Sequence, residues 1–313
     1  MAEPIKWKSK ITLVKPEATY GVDPTATGAA NAMLLTDVQI SPMEGEDVSR
    51  NLDLPYLCAQ DSFPTALRVV LTGSFELVGS GTLGTPPAWG PLMRACAAAE
   101  VIQPNTAVVY SPISDAHESV YISFWIGPTL HAIKGARGTG VITLNAQGIP
   151  VVRVTLTGLF IRPVDAARPN VDLSAWQEPQ VASMANTPSF TIDSIPFVLR
   201  SYELNLGNDV QPRMLVGVER VIVVDRAESL SATVEAVPMA VYNPYQRAEE
   251  RTRMPVELNH GKTDGKRVRV SALQAIQRRP SGIEQNQNIA EWPLSFTPLP
   301  TGAGNDQWLI RCA

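Results

Sequence analysis

Apolar and polar positions alternate along most of this chain. From Leu67 to Val78, the residues Leu67, Val69, Leu71, Phe75 and Leu77 share one parity, while Arg68, Thr72, Ser74 and Glu76 share the other, with Val70 the exception. Period two sends successive side chains to opposite faces, the pattern of a strand buried on one side. It returns from Val151 to Ile161, where Val152, Val154, Leu156 and Phe160 oppose Arg153, Thr155 and Thr157. Further strands are predicted over Leu34 to Ile40, Val120 to Ile126, Thr129 to Lys134 and Val141 to Asn145, with Gly127-Pro128 and the glycine-rich Gly135 to Gly140 as turns between them. A helix is expected after Thr85 as N-cap. There Trp89, Leu92, Met93 and Cys96 recur at i, i+3, i+4 and i+7 and form one apolar stripe.

Periodicity stops between about Pro163 and Ser189, a proline-rich stretch with few large apolar residues. It then restarts in a similar order. Strands are predicted over Phe197 to Leu206, Leu215 to Val224 and Leu230 to Val237. Asn243-Pro244 then opens a short helix to Arg251, and strands follow over Val256 to His260 and Lys266 to Leu273, with a closing strand carrying Trp292, Leu294 and Phe296. The sequence therefore predicts a mainly β protein: two tandem β-sandwich or barrel domains, each with a short flanking helix. The expected division is an N-terminal arm over 1–32, a first β domain over 33–165, a linker over 166–189 and a second β domain over 190–313, the two domains reading as a duplication.

Composition narrows the function classes. Among 313 residues stand 26 prolines, and a proline inside a helix costs about 3 kcal/mol, which disfavours a helical bundle. The 26 basic and 30 acidic residues leave a net charge of −4, without the basic stripe of a nucleic-acid platform. Three widely spaced cysteines, Cys58, Cys96 and Cys312, signal neither a disulfide framework nor a zinc site. No stretch approaches the roughly 20 apolar residues of a membrane span, so the chain is expected to be soluble and to fold in the cytoplasm where it is made.

Candidate chemistry is sparse. Gly79-Ser-Gly-Thr-Leu-Gly84 is a literal GxGxxG, but the strand before it alternates where a dinucleotide-binding strand would be apolar throughout, and Pro86-Pro87 start the helix only after the motif. His117-Glu118 begins an HExxH whose second histidine position holds Tyr121. Glu44, Glu46 and Asp47 lie in a segment without regular periodicity, read as a solvated or partner-facing loop. Arg267 and Arg269 share one strand face and could meet a carboxylate of a neighbouring subunit. No catalytic residue, cofactor or metal ligand is expected.

The phrases Lys15-Pro-Glu-Ala-Thr-Tyr-Gly21-Val-Asp-Pro24, Gly28-Ala-Ala-Asn-Ala-Met33 and Leu35-Thr-Asp-Val-Gln-Ile-Ser-Pro-Met-Glu-Gly45, with the strand, glycine loop and helix after them, resemble the major tail tube proteins of long-tailed bacteriophages with non-contractile tails. The resemblance covers about residues 10 to 165. It implies a β-sandwich with one helix on its flank, assembled into stacked rings whose strands join edge to edge around a channel for DNA. It also implies a virion location, with assembly in the host cytoplasm, and the tape measure and tail terminator or tip proteins as partners. DNA would pass without specific contact, and no membrane insertion is implied. Single-domain tube proteins are about half as long and form sixfold rings, so a duplicated chain implies three copies per ring with pseudo-sixfold symmetry. The expected contacts between rings and subunits are the arm over 1–32 and the segment Glu44 to Phe63, with Leu52, Leu54, Tyr56, Leu57 and Phe63 as apolar residues lacking a local core, together with Glu44, Glu46, Asp47, Arg267 and Arg269. The alternatives are an enzyme binding a nucleotide at Gly79 to Gly84, and a carbohydrate-binding or adhesive β-sandwich module of the virion.

Overall fold

The computed structural model describes residues 4–313. Strands take up 51% of it and helices 5%, so the fold is mainly β and of the sandwich class. The first half carries β1 (Lys10–Pro16), α1 (Gly28–Asn31), β2 (Ala32–Met33), β3 (Thr36–Ser49), β4 (Ser62–Glu76), α2 (Gly90–Ala95), β5 (Ala98–Gln103), β6 (Ala107–Pro112), β7 (Val120–Ile126), β8 (Thr129–Asn145), β9 (Val151–Phe160) and β10 (Val164–Asp165). The second half carries β11 (Ser189–Ile192), β12 (Ile195–Pro196), β13 (Leu199–Asn205), β14 (Asn208–Leu215), β15 (Val218–Arg226), β16 (Ser229–Glu235), α3 (Pro244–Glu250), β17 (Arg253–His260), β18 (Val268–Gln277), β19 (Glu284–Asn286), β20 (Ile289–Leu299) and β21 (Leu309–Cys312).

One antiparallel sheet runs through both halves in the order β3, β4, β9, β8, β13, β16, β20. Its registers place Phe75, Val152, Ile142, Leu204, Leu230 and Phe296 side by side across six strands, and all six are buried. Each such side chain contributes about 1.5–3 kcal/mol by leaving water, which makes this row the spine of the core. A second layer closes over it. β7 pairs with β1 and with the first part of β8, β17 pairs with β11 and β18, and β21 bridges β6 to β18. Trp89 fills the gap beside α2, stacked 5.4 Å from Phe75 and donating from Nε1 to the Val78 carbonyl at 2.8 Å. The core cluster is continuous from Val14 to Cys312, so the halves share one interior.

The two halves also repeat one pairing circuit. The series β1, β7, β8, β9, β4, β3 recurs as β11, β17, β18, β20, β16, β13. Even an irregularity repeats. Between Ile122–Ile133 and Val120–Ala136, β8 advances three residues while β7 advances two. Between Val256–Ala272 and Met254–Ala275, β18 and β17 do the same. Such a bulge is a built feature of a strand pair, and its recurrence at one register point aligns the halves residue by residue.

Several sequence expectations need correction. The glycine-rich segment Gly135 to Gly140 is no turn. It lies inside the single long strand β8, and Gly135 occupies the bulge at φ +61, where its N–H donates to Glu17 Oε1 at 2.7 Å and an added Cβ would strike the Tyr20 ring. The helix α2 starts at Gly90 with Trp89 as N-cap, so Thr85 does not cap it, although Trp89, Leu92, Met93 and Cys96 are all buried as the stripe requires. The N-terminal arm expected over 1–32 contains a core strand, since β1 pairs along its whole length with β7 and buries Leu13 and Val14, while residues 1–3 lie outside the described residues. Glu44, Glu46 and Asp47 belong to strand β3 and not to an irregular loop. The strand expected over Leu215 to Val224 is the turn and second arm of a hairpin, β14–β15.

Candidate functional site

The face of the through-sheet opposite the core is polar. Gln39 stands beside Thr72 and Thr72 beside Thr155. Ser74 stands beside Arg153, and Thr143, Glu203, Ser231 and Ser295 follow one another across four strands. Strict alternation produces this. The residues between the buried spine positions are the Thr, Ser, Glu and Arg that the sequence places at the other parity. The surface is therefore wide, hydroxyl-rich and mixed in charge.

Two hairpins rise from this sheet. β3 and β4 extend beyond Ser41 and Val70 into arms joined by the loop 50–61, and β13 and β16 extend as β14 and β15, joined by Val216 and Gly217. Val210 to Leu215 face Glu44, Glu46, Ala66 and Arg68 across a groove of about 860 Å³, with Thr155 and Thr157 on its floor. Glu44 reaches Arg68 at 3.4 Å. Leu52, Leu54, Tyr56, Leu57 and Phe63 are all exposed, Leu57 completely. The structure thus gathers Glu44, Glu46, Asp47 and these five apolar residues on one hairpin and its tip. Arg267 and Arg269 belong instead to the start of β18 and the turn before it. They pair with Asp264 and Glu257 respectively and line a pocket of about 280 Å³ with His260 and Arg311. Arg311 escaped sequence reasoning because it comes from β21, which joins β18 only through tertiary pairing. The exposed tip residues Leu215, Val216 and Val218 escaped it because an apolar run around a turn reads as strand interior.

The second hairpin is seated, whereas the first stands free. The buried Asn208 amide donates to the carbonyls of Cys96 at 2.7 Å and Gly138 at 3.0 Å, and its oxygen accepts from Arg226 Nε at 2.8 Å. Arg226 Nη2 also donates to the Ala97 and Ile113 carbonyls. On the same hairpin the Val221 carbonyl accepts from Arg137 Nη1, and its N–H donates to the Tyr20 hydroxyl at 2.7 Å. Burial lowers the Arg226 pKa from its ordinary value and raises that of Glu228, its 3.9 Å neighbour.

The remaining sequence candidates resolve into packing. Gly81 N–H donates to the Gly265 carbonyl at 3.0 Å, and a Cβ on Gly79 would lie 2.1 Å from that same oxygen, so the Gly79 to Gly84 loop is engaged by the turn before β18. Glu118 holds Arg94 at 2.6 Å, and His117 Nε2 lies 3.0 Å from the Ile113 carbonyl oxygen. Burial pushes the Cys96 thiol up to about 12, which leaves it protonated and inert, and Cys58 is the exposed cysteine. Compared with known proteins, the chain matches no family model and no curated sequence.

Proposed function

We propose that this chain is a self-assembling structural protein, the subunit of a phage-like tail tube, with three copies forming each ring and the rings stacking into a conduit for DNA. The observation that carries this reading is the through-sheet. It joins two copies of one pairing circuit side by side, buries an apolar spine on one face, presents hydroxyls on the other, and leaves an open edge at each end. A sheet with two open edges is a liability in an isolated chain, and a closed ring removes it.

The polar face suits a channel lining. A duplex held by many arginines and lysines binds through release of counterions and would be retained. Arg153 with Glu203, Glu235 and a field of Ser and Thr offers DNA wetting without a foothold. Leu52, Leu54, Tyr56, Leu57 and Phe63 on the free tip are the reading's contacts between stacked rings. Arg267 and Arg269, already neutralised within the chain, are its weaker contact candidates. The tape measure and the terminator or tip proteins are the partners this reading brings, inside a virion assembled in the host cytoplasm. Negative-stain microscopy of the purified chain tests it: rings and tubes are expected, and a persistently monomeric protein at every concentration and salt would reject it.

A further inference from the structure

The joint between the halves is asymmetric. The end of β8, Val141 to Asn145, receives β13 of the second half, with Ile142 opposite Leu204 and Thr143 opposite Glu203. A joint that uses one edge of the first unit and a different edge of the second leaves the complementary pair of edges unused. The aligned registers identify them. β9 Val151 opposes Thr143 and β20 Glu291 opposes Glu284, so the segment from Gly282 through β19 corresponds to the end of β8. Likewise Leu71 opposes Ile40 and Leu230 opposes Leu204, so β3 corresponds to β13. Exposure makes the contrast. Ile142, paired with Leu204 of β13, is fully buried, whereas its counterpart Ile283 is 59% exposed.

Resting on the ring-forming reading above, we infer that the joint inside the chain is also the joint between chains: the edge Gly282 to Asn286 of one copy pairs antiparallel with β3 of the next, Ile283 opposite Ile40 and Glu284 opposite Gln39. At the internal joint Leu206 N–H donates to the Gly140 carbonyl and Ala146 N–H to the Arg200 carbonyl, so Leu204 and Tyr202 also point their backbone groups across it. By the same parity Ile40 and Val38 point theirs at the open edge of β3. There Lys10 Nζ donates to the Val38 carbonyl at 2.6 Å, capping the acceptor that the neighbour would take. The free β3–β4 hairpin, whose Glu44–Arg68 pair stands where Asn208 and Arg226 stand in the seated one, then lies over the neighbour's second half as β14–β15 lies over β8 and β9.

Gln39 and Glu284 fall at a non-hydrogen-bonded position, where Cα atoms of antiparallel strands lie about 4.5 Å apart, within disulfide range. The test is the full chain carrying Cys58→Ser, Gln39→Cys and Glu284→Cys, oxidised after assembly and run on a non-reducing gel, with microscopy of the same sample. A Thr143→Cys, Glu203→Cys chain serves as the intramolecular control, and Gln39→Cys with Gln285→Cys as the pair one residue out of register. Conversion of monomer to covalent trimer for the first pair and not for the third is expected. Rings or tubes that remain uncrosslinked, or that crosslink equally out of register, would overturn this joint while leaving the tube reading intact. A sample with neither rings nor crosslinks would reject both.

Discussion

Asn208→Ala probes the claim that the seated hairpin locks the two halves together. The side chain supplies two bonds to backbone carbonyls of the first half and accepts one from a half-buried guanidinium. Neutral bonds of this kind contribute about 1 kcal/mol each and a charge-assisted one about 1.5–3 kcal/mol, so complete loss approaches 4 kcal/mol. The adjoining cavity of about 290 Å³, lined by Ile113, His117, Arg226 and Glu228, is polar and lets water reach the freed Arg226 guanidinium, which brings the expected loss to about 3 kcal/mol. Urea denaturation followed by tryptophan fluorescence measures it, because Trp89 and Trp125 report on the first half and Trp292 and Trp308 on the second. All should shift together, since one core cluster spans the chain. A loss under about 1 kcal/mol, or a transition that splits with only the second-half tryptophans affected, would refute the reasoning.

Acidification gives a second test. His260 is buried, with Nδ1 3.0 Å from Thr187 Oγ1, and burial lowers its pKa below the ordinary 6.5. The unfolded chain therefore takes up the proton first, and stability present above pH 6.5 is lost as pH falls through that value toward the folded pKa. Glu228, with its pKa raised, acts in the opposite sense as pH falls toward 4.5. The comparison is consequently with His260→Gln, whose melting temperature should fall less between pH 7.5 and 5.5 than that of the parent; parallel slopes would contradict this. At the free tip, Tyr56→Asp with Leu57→Asp should leave monomer stability within about 0.5 kcal/mol, because both side chains are exposed, yet shorten or abolish tubes while single rings persist. Tubes of normal length would remove this loop from ring stacking.

The sequence disclosed those strands whose two faces see different solvents. β4, β9 and β16 were legible because burial on one side forces period two, and α3 was legible from Asn243, whose side chain accepts from the N–H groups of Tyr245 and Gln246. β1 was missed because Lys10, Lys15 and Pro16 flank only three buried residues, and nothing local says that Ile11 to Pro16 finds β7 more than a hundred residues away. The sequence pattern divides β8 in two because glycine marks turns more often than bulges, and the Glu17 bond to Gly135 that reveals the difference is tertiary. Leu52, Leu54, Tyr56, Leu57 and Phe63 are legible as exposed because large apolar residues without a periodic neighbour have no core to join, whereas Leu215, Val216 and Val218 are not. The register at Thr143–Glu203, on which the joint rests, is a tertiary fact with no local signature.

The most direct test of the account is the rotational symmetry of a single ring seen down its axis by electron microscopy, with the number of chains fixed by native mass measurement. Three chains arranged as six similar lobes are expected. A two-fold dimer, a six-chain ring with the second half projecting outward as a separate module, or no ring at all would contradict it.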